Sequence, residues 1–345
     1  MTATMHLGAC ALGRAIDANG SPLDGGPALR GRRVPIDARA PRPNERAPIV
    51  APMWTGLRVI DGLLTVGRGA RVGIFGAPGN GKSSIVETIV RNCAADAVVV
   101  ALIGERGREA ERWLARRDER VTIVCATGDR PAAERVGAAH VALAHASALR
   151  ERGLHIVLVL DSLARVALAA RELASAAGES TGRGGYPPSV FARLARLIEV
   201  AGTTPAGSIT LFATVLSDGD ERDPVSEAAR SFLDGHLVLS SALAHAGRYP
   251  AIGVLSSTSR TMEAVTTAAH QRAAVRVRRA LAALDRIEDA RSLGILPTQC
   301  DEKAAVALEA ALRAFLRQGR ESAPPSETLS HLERIAEEWE ERVGD

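Results

Sequence analysis

Seven short apolar runs, separated by polar and helix-forming stretches, restrict the fold of this 345-residue chain more than any other feature. Most of the runs show no alternation of apolar and polar residues, which is typical of strands buried on both faces of a mainly parallel sheet. The runs are RVGIF (71–75), AVVVALIG (97–104), VTIVCA (121–126), HIVLVL (155–160), SITLFATVL (208–216), HLVLS (236–240) and AIGVL (251–255). Because the stretches between them favour crossover helices, the sequence predicts an α/β fold built on a mainly parallel sheet.

The parts of the chain on either side of these runs have a different character. The first 55 residues are rich in Gly, Pro and Arg, which predicts turns, short strands and an extended linker. Beyond Arg260 the apolar residues recur at helical spacing, and helices are predicted at 262–284, around 303–318 and around 326–342. The predicted segments are an N-terminal remnant and linker at 1–55, an α/β core at 56–260 and an α-helical C-terminal domain at 261–345.

Composition argues against several classes of protein. The four cysteines are scattered and form no C-x-x-C pair, which argues against a zinc site or a disulfide scaffold and fits a reducing cytoplasm. No apolar run approaches the ~18 residues of a membrane span, and the N-terminus lacks the pattern of a signal peptide. A net charge of +3 is too small to identify a nucleic-acid-binding protein. The sequence predicts a soluble, cytoplasmic protein.

A glycine-rich loop, GAPGNGKS at 76–83, lies between the first of these runs and a helical stretch. In the pattern G-x-x-x-x-G-K-[ST], backbone N–H groups and the N-terminus of the next helix surround phosphates. Lys82 is one of only two lysines among 43 basic residues; it is expected to reach the β- and γ-phosphates, and the Ser83 hydroxyl to bind Mg²⁺. The alternative is a chance glycine-rich turn. The residues predicted to contact the nucleotide here are Gly76, Ala77, Pro78, Gly79, Asn80, Gly81, Lys82, Ser83 and Ser84.

Two acidic residues follow buried strands farther along the chain. Asp161 comes directly after the run at 155–160, where an acid that holds Mg²⁺ is expected downstream of such a loop; the alternative is a cap on the next helix. Glu105 follows another run and is placed to orient an attacking water, with Arg106 and Arg108 keeping it ionised. The charged segment GERGREAERW fits a surface cluster of salt bridges equally well.

Arg260 lies beyond the last apolar run, in the segment SSTSRTM. An arginine that one subunit supplies to its neighbour fits this place, because it stabilises the charge that develops on a γ-phosphate. Nearly all of the 43 basic residues are arginines, so most of them must be ordinary surface residues. Spacing alone therefore favours an ordinary surface residue at Arg260.

Several longer segments resemble the type III secretion ATPase family, which includes the flagellar export ATPases and is related to the catalytic subunits of rotary ATP synthases. The resemblance runs in one order from about Leu12 to Thr261. GYPPSVFARL and LDGH favour this family over other P-loop enzymes. The segments are LGRAIDANGSPLDG, TGLRVIDGLLTVGRGARVGIFGAPGNGKSS, ALIGERGREAERWL, LVLDSLARVALAARELA, GRGGYPPSVFARLARLIEVAG, FLDGHLVLS and RYPAIGVLSSTSR.

The resemblance implies a RecA-like P-loop core that assembles into a ring, usually a homohexamer, with MgATP bound between subunits. It assigns phosphate and magnesium binding to Lys82 and Ser83, magnesium binding to Asp161, water activation to Glu105, a γ-phosphate contact to Arg106 and an arginine finger to Arg260. Tyr249 matches the tyrosine that packs on adenine; the alternative is a core tyrosine. The loop GRGGYPPS (182–189) matches a segment near the central channel.

The resemblance also implies partners. These are secretion stalk and regulator proteins, chaperones and export substrates, with a peripheral position at the inner membrane and no direct contact with nucleic acid. The family's N-terminal β-barrel is expected to be missing, because the chain starts after it. The helix predicted at 262–284 carries Arg272, Arg276, Arg279 and Arg286 on one face, which fits either a solvated face or a surface for a protein partner.

Three functions remain open at this point. The first is ATP hydrolysis that energises protein export, and the second is a ring component that binds nucleotide without hydrolysing it. The third is an RNA-translocating helicase of the terminator type, which would need an RNA-binding barrel with aromatic stacking residues. Residues 1–55 offer a single aromatic residue, Trp54, which argues against the third function. The first function is favoured because the glycine-rich loop, GERGRE, DSL and SSTSR occur together in one chain.

Overall fold

The computed structural model describes residues 3–116, 118–217 and 223–344. Its strands are β1 (Thr4–His6), β2 (Ala15–Asp17), β3 (Arg33–Pro35), β4 (Pro52–Met53), β5 (Val66–Gly67), β6 (Arg71–Gly76), β7 (Ala97–Ile103), β8 (Val121–Ala126), β9 (His155–Asp161), β10 (Gly202–Thr203), β11 (Ser208–Leu216), β12 (Gly235–Val238) and β13 (Thr258–Ser259). Its helices are α1 (Arg58–Leu63), α2 (Lys82–Asn92), α3 (Gly107–Leu114), α4 (Ala132–Arg150), α5 (Leu163–Ala176), α6 (Pro188–Glu199), α7 (Pro224–Phe232), α8 (Ser241–His245), α9 (Met262–Val265), α10 (Ala268–Ser292), α11 (Cys300–Leu316) and α12 (Pro325–Gly344).

The chain divides into two compact units that alternate along the sequence. The first unit comprises residues 1–49, 68–78 and 95–236, and the second comprises residues 50–67, 79–94 and 237–345. Each unit therefore draws on several stretches of chain. The three segments proposed from the sequence describe consecutive stretches instead, and their borders stay a prediction.

The first unit is built on a parallel sheet. Six strands lie in the order β6-β11-β9-β7-β8-β2 and pair in parallel, while β10 pairs with β11 in the antiparallel sense. Every residue of β7 and β9 is buried, as expected for central strands covered on both faces. The predicted α/β fold with a mainly parallel sheet is confirmed, and β2 from the N-terminal segment adds an edge strand to it.

One predicted strand does not form. The apolar run at 251–255 makes only an isolated antiparallel bridge at Ile252, after which the chain turns. The hydroxyl groups of Ser256 and Ser257 both donate to the carbonyl oxygen of Gly253, at 3.1 and 2.6 Å. Such local hydrogen bonds from serine compete with a strand ladder, and here they stabilise a turn. The prediction of a strand at this run is wrong.

The second unit contains three long helices, α10, α11 and α12, which pack on one another. The apolar face of α10 is buried, with Val277 fully inaccessible to solvent. On the opposite face Arg276 forms an ion pair with Glu340 at 2.6 Å, and Arg286 pairs with Asp301. Half of the predicted arginine face is therefore engaged within the chain, which favours a solvated, ion-paired surface.

Within the first unit, His145 of α4 connects the N-terminal segment to the sheet. Its fully buried ring accepts a hydrogen bond from the backbone N–H of Gly8 at Nδ1 (3.1 Å), and Nε2 lies 3.0 Å from the Thr122 hydroxyl. That hydroxyl donates to the carbonyl oxygen of Ala11 at 2.9 Å. These contacts require a neutral ring with its proton on Nε2, and burial lowers the pKa of His145 to about 4.

Replacement of this ring makes a testable prediction about acid stability. Because the folded pKa lies below the unfolded value, His145 contributes stability above pH ~6.5 that is lost as pH falls toward its folded pKa. We expect the stability advantage of the wild type over His145→Gln to shrink by about 2 kcal/mol between pH 7 and pH 5. Urea unfolding at a series of pH values measures this difference.

The control is His245→Gln, because the ring of His245 is exposed. It is expected to follow the wild-type curve at every pH. A constant difference between the wild type and His145→Gln from pH 7 to pH 5 would contradict the neutral, buried state of His145.

Candidate functional site

Two acidic side chains lie together at one edge of the parallel sheet. The register aligns Asp161, the last residue of β9, with Leu102 near the end of β7, and Glu105 follows β7 two residues beyond its end. Glu105 is 6% exposed and Asp161 is 8% exposed. Because parallel strands place their carboxyl ends at the same edge, strand pairing alone brings these two carboxylates close.

Glu105 is held by an arginine that the sequence analysis did not name. A guanidinium nitrogen of Arg165 lies 3.1 Å from the Glu105 carboxylate, and it also donates to the carbonyl oxygen of Gly104. A side chain at Gly104, whose φ is +68°, would have its Cβ 3.0 Å from Arg165 Cδ. Glycine is therefore needed here both for the backbone conformation and for the close approach of Arg165.

The arginines adjacent to Glu105 in sequence were expected to keep it ionised, and the geometry differs from that expectation. Arg106 is the exposed N-cap residue of α3, and Arg108 is also exposed, whereas the carboxylate pairs with Arg165. Arg165 lies four residues after Asp161 in LVLDSLAR, within the first turn of α5. This position, four residues after the acid that is expected to hold Mg²⁺, is the sequence signal by which Arg165 could have been predicted.

Burial dominates the electrostatics of Glu105. The pKa of Glu105 is raised to about 8, mainly by its removal from water and next by the nearby charge of Asp161, while the cation of Arg165 acts in the opposite direction. A second carboxylate, that of Glu109, also raises it. The group is thus a desolvated carboxyl in a concentration of negative charge, which is a state that functional sites often contain.

Asp161 does not act as the helix cap that the sequence left open. The residue that caps α5 is Ser162, whose hydroxyl accepts a hydrogen bond from the backbone N–H of Arg165. Asp161 instead accepts a hydrogen bond of 2.5 Å from the hydroxyl of Thr214 on β11. Thr214 follows the residue of β11 that is aligned with Leu160, so the strand register places it beside the acid.

The glycine-rich loop has the local geometry expected of it. Strand β6 ends at Gly76 and helix α2 begins at Lys82, and both Gly79 (φ +86°) and Gly81 (φ +88°) are in the left-handed region. Gly81 is the N-cap residue of α2. The loop therefore leads directly into the N-terminus of α2. It contains two residues in a backbone conformation that is strained for any residue with a Cβ.

The remaining loop residues fall into two classes. Asn80 is buried, and its amide nitrogen donates to the Ser241 hydroxyl at 2.9 Å, which fixes the loop to the start of α8. Lys82 is half-buried at the first position of α2, and Ser83 and Ser84 are exposed in the first helical turn. Of the residues proposed to bind the nucleotide, Asn80 therefore stabilises the loop itself, whereas Ser83 and Ser84 are exposed to solvent.

A cavity of about 220 Å³ lies in the second unit beside this first helical turn. Gly81, Ser84 and Tyr249 line it, together with Gly319 and Arg320 from the connection between α11 and α12. Tyr249 is 45% exposed, so it is not the core tyrosine that the sequence left open. An accessible aromatic ring at the wall of a cavity is suited to stacking against a flat base.

Arg260 is exposed and lies in the second unit. The residues on either side of it are fixed: the Ser259 hydroxyl donates to the carbonyl oxygen of Thr65 at 2.6 Å, and the Thr261 hydroxyl accepts from the N–H of Gly67 at 3.0 Å. The backbone is therefore held while the guanidinium group extends into solvent. This is a suitable arrangement for an arginine that acts on another molecule.

The loop at 182–189 also presents an exposed segment. Its residues 183–185 form a turn in which Arg183 makes an ion pair with Glu227 at 2.7 Å. Tyr186 is buried beneath it, with the guanidinium group of Arg171 5.1 Å from the ring centroid. The place of this loop near a ring channel stays a prediction.

Within residues 3–116, 118–217 and 223–344, no helix is both long and apolar enough to cross a membrane.

Comparisons with known proteins agree with these features. Residues 56–259 match the family model described as the ATP synthase alpha/beta family, nucleotide-binding domain. The chain is 44% identical over 340 residues to a type 3 secretion system ATPase of Xanthomonas euvesicatoria, covering 96% of this chain and 76% of that protein. It is 41% identical over 327 residues to a flagellum-specific ATP synthase of Bacillus subtilis, covering 91% and 74% of the two chains.

A solved structure of a related protein resembles this chain over nearly the whole length of the chain. The assembled ATPase EscN from the type III secretion system of enteropathogenic E. coli superposes with a TM-score of 0.92 at 37% identity, covering 96% of this chain and 83% of that one. Sequence and structure thus agree on one relationship. The chain belongs to the ATP synthase alpha/beta family, in the branch whose relatives are type III secretion and flagellar ATPases.

Proposed function

We propose that this protein hydrolyses MgATP as a subunit of a ring and thereby energises protein export by a type III or flagellar secretion apparatus. The observation that carries the proposal is the pair of buried carboxylates, Glu105 and Asp161, at the carboxyl edge of the sheet in a chain that also carries the glycine-rich phosphate loop. Its similarity to secretion ATPases supports the biological role.

The phosphate loop supplies the binding groups for the triphosphate. Gly79 and Gly81 give the loop its left-handed turns, and the backbone N–H groups at the start of α2 have no intrahelical acceptors, so they suit phosphate oxygens. Lys82 adds a compact positive charge for the β- and γ-phosphates. Tyr249 provides the surface on which adenine stacks, at the wall of the cavity of about 220 Å³.

Magnesium fits the oxygen groups that this chain provides. Ser83 and Asp161 are the residues that would hold it, directly or through water, because hard cations prefer hydroxyl and carboxylate oxygens. The hydrogen bond from Thr214 fixes the orientation of Asp161. Magnesium, when bound, neutralises charge on the phosphates.

Glu105 is proposed to orient the water that attacks the γ-phosphate and to accept its proton. Its burial removes competing solvent, and Arg165 holds its carboxylate at 3.1 Å. Arg106 is exposed one residue away, at the N-terminus of α3, and is proposed to contact the γ-phosphate.

Arg260 is proposed to act as the arginine finger of a neighbouring subunit, which stabilises charge on the γ-phosphate during cleavage. A solved relative, EscN, is described as an assembled ATPase, and another structure shows it in complex with its central stalk EscO. By analogy we propose a homohexameric ring with a stalk partner. We further propose chaperones and export substrates as partners and a cytoplasmic location, peripheral to the inner membrane.

Two substitutions test the chemistry. Lys82→Ala removes a charge that meets the phosphates, and Glu105→Gln keeps the shape of the water-orienting group but removes its basicity. We expect each to lower the rate of phosphate release from ATP, by about 10²–10³-fold for Lys82→Ala and about 10²–10⁴-fold for Glu105→Gln. Phosphate release is measured on oligomeric protein with MgATP.

Matched controls are available for both variants. Lys303→Ala removes the other lysine of the chain, and Glu111→Gln changes an exposed glutamate on α3; both are expected to keep wild-type turnover. Unchanged turnover in Lys82→Ala or Glu105→Gln would refute the mechanism. ATP binding by the wild type without any turnover would favour the non-hydrolysing ring component instead.

A mixing experiment tests whether Arg260 acts across subunits. Arg260→Ala and Lys82→Ala are each expected to be inactive alone. After mixing and reassembly, some sites combine an intact Lys82 from one subunit with an intact Arg260 from its neighbour, about a quarter of them in a random 1:1 ring. We expect turnover in the mixture to exceed that of either variant alone. No gain on mixing, with ring assembly verified by light scattering, would contradict the action of Arg260 across subunits.

A further inference from the structure

Gln318 lies in the connection between α11 and α12, and it lines the cavity of about 220 Å³ together with the two residues that follow it. Its side-chain oxygen Oε1 accepts a hydrogen bond from the backbone N–H of Arg58 at 2.8 Å. Its Nε2 donates to the carbonyl oxygens of Gly56 and Glu321, each at 2.7 Å. Its backbone N–H donates to the carbonyl oxygen of Tyr249 at 3.0 Å. One residue therefore connects three separate stretches of the second unit.

This set of hydrogen bonds needs a glutamine. The amide supplies one acceptor and two donors, and all three groups are engaged at good distances. Glutamate at this position would keep the acceptor for Arg58 but would place carboxylate oxygens against two carbonyl oxygens. Asparagine is one methylene shorter. The side chain thus specifies the course of the backbone on either side of it.

Arg58 fastens the same connection from a second direction. Its guanidinium group donates to the carbonyl oxygens of Phe315, Ala314 and Arg317, at 3.1, 3.2 and 2.5 Å. These are carbonyl groups at the C-terminus of α11, which lack partners within the helix. The end of α11 and the start of the connection are therefore fixed by two residues, Arg58 and Gln318.

The residues that follow form part of the cavity wall. Gly319 and Arg320 line the cavity that Tyr249 and Gly81 also line. A Cβ added at Gly319 would meet no atom within 4 Å, and its φ lies outside the left-handed region. Glycine is required here neither by the backbone nor by packing, so its small size leaves space in the cavity.

We propose that Gln318 is a positioning residue for the nucleotide base: it holds the Gly319–Arg320 wall and the Tyr249 backbone in the arrangement that accepts the base. This inference rests on the proposed function, in which ATP binds with its base in this cavity. Preorganised walls raise affinity because the ligand does not have to order them on binding. Gln318 affects base recognition and leaves phosphate binding to the loop at 76–83.

The same contacts predict a reciprocal effect. If the fixed wall strengthens binding of the base, bound base must strengthen the contacts that fix the wall. The amide groups concerned are those of Gln318, bonded to Tyr249, and Ala323, bonded to Gly56. MgATP is expected to slow hydrogen exchange at these amides, whereas magnesium tripolyphosphate, which has the phosphates but no base, is not.

The test distinguishes binding of the base from binding of the phosphates by titration calorimetry of the 345-residue chain with MgATP and with magnesium tripolyphosphate. For Gln318→Ala we expect the Kd for MgATP to rise about tenfold, while the Kd for tripolyphosphate stays within about twofold of wild type. Gly319→Val fills the cavity without breaking any of these hydrogen bonds. It is expected to weaken MgATP binding and to leave tripolyphosphate binding unchanged.

The matched control is Gln271→Ala. The Gln271 amide donates to the carbonyl oxygens of Glu263 and Thr266, at 2.9 and 3.0 Å, so it also fixes backbone within the second unit. Unlike Gln318, it does not line the cavity. It is expected to bind both ligands as the wild type does. This control shows what the loss of an anchoring glutamine does by itself.

The outcomes separate this inference from the function on which it rests. Equal weakening of both ligands by Gln318→Ala, or no change in either, would overturn the positioning role, as would wild-type MgATP binding by Gly319→Val. A wild-type chain that binds tripolyphosphate as tightly as MgATP would show that the cavity does not receive the base. A wild-type chain that binds neither ligand would refute the proposed function itself.

Discussion

Parallel pairing of β7, β9 and β11 is the constraint on which the candidate site depends. The registers align Leu102 with Asp161 and Leu160 with Ala213, so the three strands end at nearly the same level. This alignment, and not any contact between side chains, brings Glu105, Asp161 and Thr214 to one edge of the sheet. The strands themselves are held by burial: the residues of β7 and β9 are almost completely removed from solvent. The apolar runs of the sequence thus determine where its acids lie.

The electrostatic character of that edge follows from the same packing. Two carboxylates share a desolvated region, which is costly unless positive charge compensates them. Arg165 supplies part of that compensation within the chain, and Thr214 satisfies an oxygen of Asp161. A site built this way favours a ligand that brings cations with it, as a metal-bound triphosphate does. The parallel strand packing therefore places two carboxyl groups where a metal-bound triphosphate would compensate their charge.

The sequence predicted those features that depend on local pattern. Six of the seven apolar runs form strands, because a buried parallel strand needs only a short continuous apolar run. The run at 251–255 failed because serine hydroxyls, which no hydrophobicity pattern records, stabilise a turn after Ile252. The glycine loop was also predictable, since its left-handed residues and its helix are adjacent in sequence.

Contacts between distant stretches of chain were not predictable in this way. Arg165 lies 60 residues from Glu105 in the sequence. Many other arginines were equally plausible ion-pair partners for that carboxylate. Gln318 connects Gly56, Arg58 and Tyr249, which only the folded chain brings together. The roles proposed for Arg106 and Arg260 depend on family resemblance, because an exposed arginine carries no local signal of function. The spacing of residues in the sequence identifies the glycine-rich loop, whereas only the tertiary structure shows which residues contact Glu105 and Asp161.

The most direct measurement is an experimental structure of the protein with magnesium and a non-hydrolysable ATP analogue. The account predicts phosphates against the N-terminus of α2, magnesium near Ser83 and Asp161, a water between Glu105 and the γ-phosphate, and the base against Tyr249. Nucleotide bound away from this loop, or a Glu105 carboxylate too distant to reach a water at the γ-phosphate, would contradict it.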